Sequence, residues 1–114
     1  MYEFSKSIFE HFFYLYDPTT ETWTKTGSMH QIQAFHTASI LHNGKILVVG
    51  GYRSSGVFSK YSEIYDPLTE VWTTTGTMNH TRYEHTATVL SDGKVLLTGG
   101  TSNTNNFLDN SELY

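Results

Sequence analysis

The sequence has no cysteine in its 114 residues. A disulfide framework and a thiolate-bound metal are therefore excluded within the chain. Proline occurs only twice, at Pro18 and Pro67, so no proline-rich linker divides the chain. Positive charge is sparse and scattered: 7 Lys and Arg stand against 11 Asp and Glu, for a net charge of −4. Without a basic run there is no electrostatic footprint for nucleic acid. No apolar stretch approaches the roughly 18 residues of a membrane helix, so neither nucleic acid nor a membrane is an expected partner. Residues 1–13 are aromatic, but Glu3, Lys6, Glu10 and His11 interrupt them. They lack the basic start and clean apolar run of a signal peptide, and no element is assigned to them. The compartment stays open.

Catalytic signatures are missing too. None of the six histidines falls into H-x-H, H-x-x-x-H or H-E-x-x-H spacing, so no metal site is expected. Neither a G-x-S-x-G nucleophile elbow nor a phosphate loop occurs. No catalytic residue, metal or cofactor is assigned to this chain, and the activity of a longer parent protein is left open. Asn79-His80-Thr81 is a glycosylation sequon, relevant only in a secreted protein.

What is present is a repeat. Tyr16-Asp17-Pro18, Trp23, Met29, His36-Thr37-Ala38, Gly44-Lys45, Gly50-Gly51 and Ser62-Glu63 return as Tyr65-Asp66-Pro67, Trp72, Met78, His85-Thr86-Ala87, Gly93-Lys94, Gly99-Gly100 and Ser111-Glu112. Every pair is offset by 49, and laying 14–65 over 63–114 gives 23 identities in 52 positions. A period near 50 residues is the mark of a repeat architecture. With 15% aromatics and abundant Thr, Val, Ile and Tyr, the propensity leans to strands.

Each repeat reads as four strands. Asn43-Gly44 and Asp92-Gly93 predict hairpins with type I′ turns, which need positive φ at both central residues. The return strand Lys45 to Val49 is nearly all apolar and is expected to be buried on both faces. Gly50-Gly51 ends it, which suggests a close backbone approach or a conformation closed to other residues. A third strand runs through Ser62-Glu63-Ile64-Tyr65 until Asp66-Pro67 breaks it. A fourth carries Trp72. The repeated His36 and His85 are expected to be structural, donating to the preceding loop. Four short strands per repeat predict an all-β chain of propeller blades.

These residues resemble the kelch repeat: a glycine pair after an apolar strand (Gly50, Gly51; Gly99, Gly100), a tyrosine in Tyr-Asp-Pro (Tyr16, Tyr65, and Tyr114 in register), a tryptophan seven residues on (Trp23, Trp72) and a terminal Met. The resemblance covers 14–114 and implies that the tyrosines and tryptophans pack between blades. It divides the chain into a partial blade at 14–29, a complete blade at 36–78 and a partial blade at 85–114. That is nine strands, or about two and a quarter four-stranded antiparallel blades of a kelch-type β-propeller. Closed propellers need about four to eight blades. The chain is therefore expected to be a fragment or truncated product, marginal alone; self-association through open blade edges is the alternative.

Kelch propellers include ubiquitin-ligase adaptors, actin-binding proteins and the central domain of galactose oxidase-like enzymes. The resemblance thus implies a scaffold for protein–protein interaction. The alternative is the propeller portion of a secreted galactose oxidase-like or carbohydrate-binding protein. Loop parity says where binding falls. Loops after strands one and three repeat closely; those after strands two and four diverge. YRSSGVFSKY at 52–61 becomes TSNTNNFLDN at 101–110, keeping only Phe58/Phe107, and HQIQAF at 30–35 becomes NHTRYE at 79–84. The divergent loops should share one end. The binding candidates there are Tyr52, Arg53, His80, Arg82, Tyr83 and Glu84, with paired arginine forks suited to an acidic peptide.

Overall fold

A computed structural model describes residues 3–6, 12–31, 33–53 and 56–114, with the backbone alone described at 3–6, 12, 13 and 53. Among them there is no helix. Strands β1 (Glu3–Lys6), β2 (Phe12–Asp17) and β3 (Thr22–Ser28) form one antiparallel sheet. β4 (Thr37–Ile40), β5 (Ile46–Val49), β8 (Tyr61–Asp66) and β9 (Val71–Thr77) form a complete four-stranded blade. Between β5 and β8 a small hairpin is inserted, β6 (Tyr52–Arg53) with β7 (Val57–Phe58). The last sheet holds β10 (Thr86–Val89), β11 (Val95–Thr98) and β12 (Ser111–Leu113). The first sheet thus has one strand more than the sequence count gave it: Glu3–Lys6 pairs along β2, with Glu3 opposite Tyr16.

The repeat is a packing rule. In β5 side chains alternate between faces. Ile46 and Val48 join Leu15, Met29, Tyr65 and Trp72 in one core; Leu47 and Val49 join Met78, Val95 and Leu97 in another. The central blade is therefore buried on both sides, as its apolar run predicts. Trp72 lies against Tyr65, ring centroids 5.0 Å apart, and its Nε1 donates to the Gly27 carbonyl of the preceding sheet (2.8 Å).

The hairpins turn where the sequence places them, but not as type I′ turns. Only Gly44 (φ +81°) takes left-handed backbone; Asn43 does not. The Gly44 amide donates to Leu41 O and the Leu41 amide to Lys45 O, which makes a three-residue loop with a glycine bulge. The Asn43 side chain is used instead to accept from the Lys45 amide at 3.0 Å. Asp92 does the same for Lys94. At the other strand end Gly50 has φ +71°, and a Cβ there would stand 2.5 Å from Arg82 O and 2.8 Å from the His85 ring. Both expectations for the glycine pair hold at this residue: left-handed backbone and a neighbour in contact.

Candidate functional site

The divergent loops meet at one end of the sheets. Ala34 and Tyr52 exchange backbone hydrogen bonds (2.8 and 2.9 Å), and so do Tyr83 and Thr101 (3.1 and 3.0 Å). Gly51 donates to Arg82 O at 2.9 Å and Glu84 to Phe35 O at 3.1 Å. All four variable segments are thereby tied into one surface. The repeated turns lie elsewhere: Lys45, just after the β4–β5 turn, pairs with Asp66 at the β8–β9 turn (3.3 Å).

Beneath the variable loops sits a repeated acid. Glu63 is almost fully buried and accepts from the His30 amide (2.8 Å), the Gln31 amide (3.3 Å) and His30 Nδ1 (2.6 Å). Its counterpart Glu112 accepts from the Asn79 amide (2.5 Å), the His80 amide (3.3 Å) and Arg82 Nη2 (2.8 Å). Burial works to raise the Glu112 carboxyl; the Asn79 amide, the Arg82 guanidinium and the His80 amide outweigh it and hold it below its ordinary value. The loops at 30–35 and 79–84 share no residue, yet their backbones dock on carboxylates at equivalent positions of the repeat. The Ser-Glu repeat at 62–63 and 111–112 was the sequence signal for this.

Arg82 requires a correction. Its guanidinium is fully buried and donates to Gly99 O, Asn110 O, Asn110 Oδ1 and Glu112 Oε2. Every nitrogen is engaged inside the protein, because an arginine desolvated here has to be paired. It is not an open fork for a carboxylate, and the paired-arginine clamp does not exist. Arg53 lies in β6 opposite Val57. The His80 ring is exposed, with Nδ1 3.9 Å from Glu112 Oε2.

Tyr52 and Tyr83 do come together. Their rings meet edge-on at 5.4 Å, Phe35 stacks on Tyr52 at 5.3 Å within 3° of parallel, and Phe58 contacts Tyr52 and Tyr83 at 5.9 and 5.5 Å. Phe35 is 39% exposed and the other three rings are half-buried. Phe35 and Phe58 were not among the sequence candidates. Phe58 had left a trace, as the one residue kept between two otherwise divergent loops. Phe35 had none, since its register partner is Glu84. These two equivalent residues share left-handed backbone, φ +57° and +54°.

The repeated histidines are structural. His36 Nδ1 donates to the Gln33 carbonyl of the preceding loop at 2.9 Å, as expected. His85 differs, bridging to Thr37 Oγ1 of the central blade at 2.8 Å. Burial first, and the Arg82 charge second, push its pKa down to about 4. Among the described residues no cluster of His, Asp or Glu could hold a metal ion.

The family model for the Kelch motif matches residues 35–79. No curated protein matches the chain. Among solved structures it is similar to a fungal alcohol oxidase of the AA5 family, solved in complex with copper, with a TM-score of 0.73 and 22% identity over 86% of this chain and 23% of that one. It is also similar to the protein YjhT, with a TM-score of 0.72 and 20% identity over 82% of this chain and 29% of that one. The chain thus spans less than a third of either neighbour, and the likeness is one of fold. A Kelch motif thus spans the central blade, and the chain has the fold of a partial β-propeller of kelch type.

Proposed function

We propose that this chain is a protein-interaction scaffold that binds through the end where its divergent loops meet. The observation that carries the reading is the contrast between the two ends. One is built from turns that the repeat copies nearly unchanged. The other joins four segments released from the repeat into one cross-bonded surface topped by the rings of Phe35, Tyr52, Phe58 and Tyr83. Aromatic residues are enriched among interface anchors because they bring large contact area at little entropic cost. Tyr52, Tyr83 and Glu84 remain candidates for contact, with Arg53 and His80 at the margin; Arg82 acts by fixing the loop that carries Tyr83.

The test compares the two ends. A partner captured by the wild-type chain should be lost with Tyr52→Ala or Tyr83→Ala and retained with Thr19→Ala or Leu68→Ala at the repeated turns, all four variants being checked for an unchanged circular dichroism spectrum. Loss in the turn variants with retention in the tyrosine variants reverses the assignment. The resemblance to an alcohol oxidase leaves a second role, as propeller scaffold of an enzyme whose chemistry lies in other blades. Assay of a longer parent protein for alcohol oxidation separates the two.

A further inference from the structure

We infer that the aromatic cluster receives a cationic side chain of the partner, a guanidinium or ammonium group, with Glu84 as its counter-charge. This deepens the protein-binding reading above and rests on it. The faces of Phe, Tyr and Trp rings carry negative potential, and a cation within about 6 Å of a ring centroid is attracted to them. Here Tyr52, Phe58 and Tyr83 lie 5.4–5.9 Å from one another, and the Phe35 ring, stacked on Tyr52 at 5.3 Å, is partly open to solvent.

Glu84 stands beside this cluster. It follows Tyr83 in the chain, and its amide is bonded to the Phe35 carbonyl at 3.1 Å. It is exposed and has no ion pair among the described residues. The other acids beneath these loops are occupied, Glu63 with His30 and Glu112 with Arg82. Glu84 is thus an exposed acid, without an ion pair among the described residues, whose backbone is joined to two residues of the cluster, which suits a cation. The net charge of −4 favours the approach of such a group. Because Arg82 is sealed away, the acidic ligand that the sequence suggested loses its clamp, and the preferred sign of charge reverses.

Aromatic proton–carbon NMR on the full chain tests this with three probes: N-acetyl-arginine amide, its neutral isostere N-acetyl-citrulline amide, and N-acetyl-glutamate amide. The arginine probe should shift the Phe35, Tyr52 and Tyr83 ring signals saturably, and citrulline should bind about fivefold more weakly. Glu84→Gln, an exposed change that leaves the backbone spectrum intact, should weaken the arginine probe several-fold and leave citrulline unchanged. Equal binding of arginine and citrulline overturns the proposal. So does an unaltered arginine affinity in Glu84→Gln, or ring shifts caused by the glutamate probe. If arginine fails while Tyr83→Ala still abolishes partner capture, the charge assignment falls and the binding end stands.

Discussion

The two junctions between sheets follow one register and are held by different chemistry. At the first, loop 30–35 docks on Glu63 through His30, and Gln33 is buried with neither amide atom of its side chain hydrogen-bonded among the described residues. At the second, loop 79–84 docks on Glu112, and Arg82, in the Gln33 position, satisfies the glutamate and three further acceptors. Trp23 and Trp72 differ in the same way. Each lies 5.0 Å from its own tyrosine, yet Trp23 is 53% exposed and Trp72 is 6% exposed. A repeat specifies which atoms are offered; a neighbour decides what they are worth.

The sharpest break in this comparison comes from the tryptophans. Trp72→Ala should cost about 3–5 kcal/mol, the range for emptying a well-packed aromatic site, and it also strands the Gly27 carbonyl. Trp23→Ala should cost less than about 1 kcal/mol. Urea midpoints of the two variants measure the difference, and equal losses would show that Trp72 owes nothing to the neighbouring sheet. Next comes Arg82→Met, which leaves the carboxylate of Glu112 without its cation and should cost about 3 kcal/mol. Adding Glu112→Gln should recover part of that loss in a double-mutant cycle. Additive losses would dissolve the network.

Acid should act mainly on the second junction. His85 has its folded pKa lowered to about 4 from an ordinary 6.5. The unfolded chain therefore binds the extra proton first as pH falls. The contribution of His85 is fully present above pH 6.5 and is lost between there and about pH 4, amounting to up to about 3 kcal/mol. Glu112, held below its ordinary value, pulls in the same direction at lower pH. Urea unfolding of the wild type and His85→Gln between pH 7 and 4.5 should converge; a constant gap would remove His85 as the cause. The smallest effect is expected at Gln33. Gln33→Leu removes two unbonded polar atoms from the interior and should fall within about 1 kcal/mol of neutral, on the stabilising side. A large loss would mean that the amide is bonded in solution.

The offset of 49, the glycine pairs and the apolar β5 run were enough to read the blades from sequence. Each reflects a local rule that one chain segment obeys by itself: alternation across a strand, glycine where a Cβ would collide, proline where an amide has no partner. Even the end at which the variable loops gather followed from strand parity. The binding candidates were less legible. Tyr52 and Tyr83 were found through divergence, but Phe35 was not, because its role comes from a ring stacked across a loop boundary. Arg82 was misjudged for the same reason. An arginine in a polar loop reads as exposed until its four acceptors, contributed by residues 99, 110 and 112, are brought around it.

By itself, then, the sequence determined the four strands of the central blade, their order, the hairpin positions at Asn43-Gly44 and Asp92-Gly93 and the separation of a constant end from a variable one, since these depend on spacing along one chain. Only the tertiary structure decided that Asn43 turns its side chain back onto the Lys45 amide, that Glu63 and Glu112 anchor dissimilar loops, and that Arg82 is interior while Glu84 has no ion pair among the described residues. Apart from the Asn43 turn, those outcomes depend on desolvation and on partners distant in the sequence, and no local pattern encodes what a side chain will face once water has been removed.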